Sequence, residues 1–127
     1  MAFEGIKNFF SNSFETSDNL DKEYATHYYR NDYSTIKDAI KSVAHKMGYD
    51  VTNVDDQYKE LLLASRTKGE MIITITSLSY YENAIDIKAT THYVIACGRA
   101  KKRVKEFYET INKTLNLKRI GGGINEY

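Results

Sequence analysis

The stretch from Glu70 to Ala96, EMIITITSLSYYENAIDIKATTHYVIA, decides the fold. Its two halves alternate apolar and polar residues, with a turn at YYEN between them. Alternation with a period of two is typical of strands that bury one face and leave the other open. The stretch therefore predicts an antiparallel hairpin of two long strands whose buried side carries Met71, Ile73, Ile75, Ile85, Ile87, Ala89, Tyr93 and Ile95.

Three shorter segments upstream also have strand-forming composition. They are EYATHYYR (23–30), YDVTNV (49–54) and YKELLLASR (58–66), all rich in aromatic, β-branched or aliphatic residues. The turn signals Asp55-Asp56 and TKG separate the later segments. Together with the hairpin they predict five strands.

Two segments have the period of an amphipathic helix. The stretch NDYSTIKDAIKSVAHKMGYD (31–50) carries Ile36, Ile40, Val43 and Met47 on one stripe, with Asp32 or Ser34 as the N-cap and Gly48 just past the end. Residues 99–116 carry a second stripe, formed by Ala100, Val104, Phe107, Ile111 and Leu115. The order β-α-β-β-β-β-α, with one apolar face on each element, predicts a two-layer α+β fold in which both helices cover one face of a five-stranded antiparallel sheet.

The ends of the chain are expected to lie outside this domain, which the pattern places at residues 24–118. Residues 1–14 are predicted to form an amphipathic helix that leads through a linker (15–23) into the domain, and residues 119–127 a flexible Gly-rich tail. The N-terminal helix would carry an interaction stripe of Phe3, Ile6, Phe10 and Phe14. Packing on the protein itself is the favoured interpretation, with contact to a second copy or another partner, or to a membrane surface, as alternatives.

Composition limits the class of protein. The chain has 127 residues, 42% of them hydrophobic and 28% charged, and a formal net charge of +1, which fits one soluble domain. A single cysteine excludes an internal disulfide and a cysteine-based metal cluster. No apolar run is long enough for a membrane span, and the N-terminus lacks a secretory pattern, so a cytoplasmic location is expected. The absence of proline and the eleven tyrosines indicate an AT-rich bacterial genome.

The order of elements resembles one half of the TATA-box-binding-protein-like architecture, which several uncharacterised bacterial domains share. The resemblance covers residues 24–116 and includes a Gly-Tyr-x-Val step after the first helix, at Gly48, Tyr49 and Val51. It implies a curved antiparallel sheet with two helices on its convex side. It implies no ligand, because one fold serves many functions.

A basic segment is the first candidate site. Residues 99–119 contain eight basic and two acidic side chains, and a candidate anion site consists of Arg99, Lys101, Lys102 and Arg103. An ordinary solvated helix face, an anionic partner and nucleic acid are the three interpretations, in that order of preference. Cys97, just before this segment, fits a small buried side chain better than a reactive thiol.

The face of the sheet that the helices leave uncovered is the second candidate site. Its predicted binding residues are His27, Thr74, Thr76, Lys88, Thr90 and His92. Two histidines without a carboxylate pair make a poor metal site, so the sequence predicts no metal. It also contains no familiar catalytic or nucleotide-binding motif, and it predicts no catalytic residue and no cofactor.

These observations favour a non-enzymatic binding or interaction module that uses the uncovered sheet face or the N-terminal segment. Its expected partner is a second copy of itself or another protein, ahead of nucleic acid or a membrane. The alternative is an anion- or nucleic-acid-binding domain that uses the basic C-terminal helix. An enzyme built around His27 and His92 is a third possibility.

Overall fold

The computed structural model describes residues 13–20, 24–91 and 97–121. These residues fold as an α+β domain with two helices and a mostly antiparallel sheet of seven strands. In chain order the elements are β1 (Ser13–Glu15), β2 (His27–Tyr29), α1 (Tyr33–Lys46), β3 (Asp50–Asp55), β4 (Glu60–Ser65), β5 (Gly69–Ser79), β6 (Glu82–Thr90), α2 (Cys97–Ile111) and β7 (Leu117–Ile120).

The sheet has the order β3-β4-β5-β6-β2-β7, and β1 also pairs with β6. β5 pairs with one side of β6 along the whole length of β6. β1 and β2 therefore share the other side of β6, one after the other. Phe14 lies opposite Ala89, and His27 lies opposite Ile85. One long position in the sheet is thus filled by two short strands, and residues 16–26 connect them.

The core lies between the sheet and the two helices. Met71, Ile73 and Ile75 of β5 face Ala89, Ile87 and Ile85 of β6, and all six side chains are buried. The helices cover this face with the buried residues Ile36, Ile40 and Val43 of α1 and Ala100, Val104, Phe107 and Ile111 of α2. The alternating hairpin and both helical stripes are therefore confirmed as core, up to Thr90, where β6 ends.

The ends of α1 follow from local chemistry. Asp32 is the N-cap residue, but its carboxylate accepts a hydrogen bond from the Thr35 hydroxyl instead of from a backbone N–H. At the other end Gly48 has φ +84°, and its N–H donates to the His45 carbonyl. A left-handed residue at this position is the usual way to end a helix.

The prediction of five strands was wrong, because the sheet also contains β1 and β7. Phe14 was assigned to the N-terminal helix, but it lies in a strand and is buried against the core. Thr16, assigned to the linker, is also buried, and Arg119 and Ile120, assigned to the tail, belong to β7. Strands of three or four residues are too short to show a period, so only their partners reveal them.

Several predicted features lie outside the described residues. These are the Phe3, Ile6 and Phe10 positions of the N-terminal stripe and the continuation of β6 through residues 92–96. Within the described ranges, neither helix is long and apolar enough to cross a membrane.

Candidate functional site: the open face of the sheet

One side of the sheet points away from both helices, and we call it the open face. It consists of the outward-directed side chains of β1, β3, β4, β5 and β6. Cross-strand pairs align these side chains in rows, because antiparallel partners point to the same side. The rows are Asp55–Glu60–Thr74–Asp86, Asn53–Leu62–Ile72–Lys88–Glu15 and Asp50–Ala64–Glu70–Thr90–Ser13.

The structure places Thr74, Thr76, Lys88 and Thr90 on the open face, where the sequence put them. Thr76 and Lys88 are exposed, and Thr74 and Thr90 are half-buried. These four hydroxyl and ammonium side chains do not form the most distinctive part of the face. That part comes from an apolar pair and from carboxylates that the sequence reasoning did not select.

The apolar pair is Leu62 and Ile72, which lie directly opposite each other in the middle of β4 and β5. Ile72 exposes 38% of its surface, and Leu62 is half-buried. A signal for them exists in the sequence. Leu62 is the middle of three consecutive leucines and Ile72 is the middle of Met71-Ile72-Ile73, and in a strand the middle residue of such a run must point to the opposite side from its neighbours.

Carboxylates surround the apolar pair. The three rows of the open face carry six acidic side chains and one basic side chain, Lys88, and therefore a net charge of −5; the acidic residues are Glu15, Asp50, Asp55, Glu60, Glu70 and Asp86. Glu15, Asp50, Glu60 and Glu70 are exposed, so their charges reach solvent. An apolar centre inside an acidic rim suits a partner that is apolar in the middle and basic around it.

Two of these carboxylates already have partners within the protein. Asp86 Oδ1 accepts hydrogen bonds from the hydroxyls of Thr16, at 2.7 Å, and Thr26, at 2.6 Å. Asp55 Oδ1 accepts the backbone N–H groups of Gln57 and Tyr58, both at 3.0 Å, and so shapes the β3–β4 turn. These two carboxylates therefore have a structural role in addition to their charge.

The gap between β1 and β2 is closed by side chains. Thr16 Oγ1 accepts the Ile87 N–H at 2.9 Å, and the Tyr108 hydroxyl of α2 donates to the Ile85 carbonyl at 2.7 Å. Side-chain groups thus satisfy β6 backbone atoms where the paired strand is interrupted.

The sheet surface beside this gap, over β2, is filled by the protein itself. The Tyr28 hydroxyl donates to Asp18 Oδ2 at 2.6 Å, and the Arg119 guanidinium lies 3.6 Å from the centre of the Tyr28 ring. Tyr28 and the neighbouring Ala84 are consequently buried, with 7% and 4% of their surface exposed. The accessible part of the face is thus the region of β3, β4, β5 and the adjoining half of β6.

The placement of His27 on the uncovered face was wrong. His27 lies on the helix side, is 3% exposed, and stacks on Tyr108 with ring centroids 3.5 Å apart. Its Nδ1 lies 3.0 Å from the Ala25 carbonyl, which identifies that nitrogen as the N–H donor. Burial lowers the pKa of His27 to about 4, although the hydrogen bond to Ala25 opposes the change.

The parity of β2 explains this correction. The sequence His27-Tyr28-Tyr29 allows two arrangements, one with His27 directed toward the helices and one with His27 directed away from them. Both fit the alternation, because tyrosine occurs on buried and on exposed surfaces. The outward position belongs to Tyr28, since its hydroxyl reaches Asp18 there. His92, the other histidine of the predicted site, lies outside the described residues.

The basic residues of α2 do not converge on one point. Lys101 Nζ lies 5.3 Å from the Phe14 ring and 5.4 Å from the Tyr24 ring, toward β1. Arg103 turns the other way, toward Tyr49, and its Nη1 lies 3.5 Å from Glu106 Oε1. Arg99 and Lys102 are exposed. Lys101 and Arg103, two of the four cations of the predicted anion site, therefore extend toward different neighbours.

Within the described part of the chain, no group of three or more histidine, cysteine, aspartate or glutamate side chains could hold a metal ion. Comparison with protein-family models and with curated proteins gives no match for this chain. The site is consequently defined by its own geometry.

Proposed function

We propose that this protein is a binding module that uses the open face of its sheet to hold a basic partner with an apolar centre. The observation that carries the proposal is the pair of half-buried Leu62 and exposed Ile72, which lies among three rows of side chains with a net charge of −5. Exposed apolar surface with a polar rim is a common feature of protein interaction sites. The acidic rim adds selectivity, because like-charged partners are repelled.

The test uses a synthetic amphipathic peptide of alternating leucine and lysine as the probe, and the same peptide with glutamate in place of lysine as the control. NMR spectra of the labelled protein should show shifts of the Leu62 and Ile72 methyl signals with the lysine peptide and not with the glutamate peptide. Equal responses to both peptides, or none to either, would contradict the proposal.

Two double variants locate the binding. In Glu60→Lys/Glu70→Lys both substitutions lie on the open face, so peptide binding should weaken by about tenfold or more. In Asp38→Lys/Glu109→Lys both lie on the exposed surfaces of α1 and α2, and the net charge changes by the same amount. This control should bind the peptide like the unmodified protein. Equal losses in the two variants would mean that overall charge, and not the open face, controls binding.

The alternative function, binding of anions or nucleic acid through α2, is supported by the five cations in the first half of that helix. The divergent directions of Lys101 and Arg103 make this alternative weaker. Its test is a titration with a short oligonucleotide at several salt concentrations, since binding dominated by phosphate contacts weakens steeply with salt.

A further inference from the structure

The two outer surfaces of the domain carry opposite charge. The helices α1 and α2, which we call the helix layer, contain eight basic and three acidic side chains, a net of +5. The three rows of the open face, on the other side of the molecule, have a net of −5. The chain as a whole is nearly neutral at +1, so two copies are not held apart by their total charge.

From this arrangement we propose that the open face binds the helix layer of a second copy of the same chain. The inference rests on the proposed function of the open face and names its partner. Exposed Lys41 of α1 and Lys102 of α2 supply cations for Glu60 and Glu70. The aliphatic stems of the lysines cover Leu62 and Ile72, because long basic side chains pack their methylene groups on apolar surface while the charged end stays in solvent.

The edges of the sheet offer a less favourable route to association. β3, at one edge, has an irregular register between Val51 and Asn53, and β7, at the other, has only four residues, among them Lys118 and Arg119. Bulges, short strands and edge charges are the devices that prevent strands of different molecules from pairing. Contact between copies is therefore expected through the broad faces.

This contact joins different surfaces of the two copies. Such a head-to-tail contact leaves one open face and one helix layer free at the two ends, so it does not stop at a dimer unless the copies close into a ring. The average mass in solution should rise with protein concentration. It should return to that of the monomer at high salt, because the attraction is between exposed charges and is screened.

The experiment measures the mass of the full chain by analytical ultracentrifugation at low and high salt. Glu60→Lys/Glu70→Lys changes the open face, and Lys41→Glu/Lys102→Glu changes the helix layer. Each variant alone should self-associate about tenfold more weakly than the unmodified protein. A mixture of the two should associate again, because the unchanged open face of the helix-layer variant can bind the unchanged helix layer of the open-face variant.

The control is Asp38→Lys/Glu109→Lys, which makes the helix layer more basic and has the same net charge as the open-face variant. It should still associate. A monomeric unmodified protein, an association insensitive to salt, or a mixture that stays monomeric would each overturn the inference. If the protein stays monomeric but binds the lysine peptide, the inference fails and the proposed function stands. If the peptide also fails to bind, both are wrong.

Discussion

The buried His27 predicts a strong dependence of stability on acid. Its pKa is about 4 in the folded protein, because burial disfavours the charged ring, against 6.5 in the unfolded chain. Between these two values the unfolded state binds a proton and the folded state does not. The free energy of unfolding therefore falls as the pH drops from about 6.5 to about 4, and the loss is complete below the lower value.

The magnitude follows from the two pKa values. At about 1.4 kcal/mol for each tenfold change in proton affinity, the neutral His27 contributes about 3 kcal/mol at pH 7 that is absent at pH 4. The neighbouring Tyr29 and Tyr108 do not titrate in this range, because burial raises the pKa of each hydroxyl further above its ordinary value of 10. A loss of this size is a large share of the stability of a small domain.

The test compares urea unfolding of the unmodified protein and of His27→Phe at a series of pH values, followed by circular dichroism. Phenylalanine keeps a ring against Tyr108 but cannot titrate, so the variant should lack about 3 kcal/mol of the pH dependence. The lost hydrogen bond to Ala25 lowers its stability by a constant amount at every pH. The same slope in His27→Phe and the unmodified protein, or an NMR titration of His27 near 6.5, would refute the reasoning.

Four further predictions concern stability and are measured by chemical unfolding at neutral pH. Phe107→Ala should cost about 3–5 kcal/mol, because the side chain is fully buried; a smaller loss would mean that α2 does not pack as described. Gly69→Ala should cost about 3 kcal/mol or more, because φ is +100° and a Cβ atom would lie 1.9 Å from the Thr90 carbonyl oxygen. Gly48→Ala should cost only about 1 kcal/mol, because φ is +84° but the nearest atom to a Cβ would be Lys68 Nζ at 3.7 Å, an ordinary contact. Tyr29→Phe should lose about 1 kcal/mol with its hydrogen bond to Asn112, and an unchanged midpoint would show that this bond contributes nothing. Ile72→Thr on the open face should change stability by less than about 0.5 kcal/mol, and the adjacent Ile73→Thr by about 3 kcal/mol; similar losses would contradict the assignment of the two faces.

The long periodic segments of the sequence were sufficient to predict the centre of the fold. The alternation around Ile73 and Ile85 and the helical stripe around Phe107 can each have only one buried side, so the sheet face and the helices that cover it follow directly. The terminal strands could not be predicted in this way. β1 and β7 have three and four residues, and they are strands because they pair with the free backbone edges of β6 and β2. These partners are far away in the sequence, so the sequence does not show the pairing.

The candidate site was predictable in position but not in composition. The uncovered face and its threonines follow from alternation alone. The pairing of Leu62 with Ile72 and the alignment of Asp50 with Glu70 across Ala64 depend on the register of three strands, including an irregularity in β3. One extra residue at such an irregularity shifts the alternation of the strand. It therefore decides whether each following carboxylate points to the open face or to the core.

The split strand at the edge of β6 also has a consequence for the order in which the protein forms. Strands β3 to β6 follow one another as neighbouring hairpins, so their contacts close short loops. Ser13 of β1, by contrast, pairs with Thr90, 77 positions away in the chain, and His27 of β2 pairs with Ile120 near the other end. Long loops close slowly. During synthesis β1 therefore cannot pair, and Phe14 stays unburied, until most of the chain has left the ribosome. The docking of β1 is a late step that depends on the completed β3–β6 sheet.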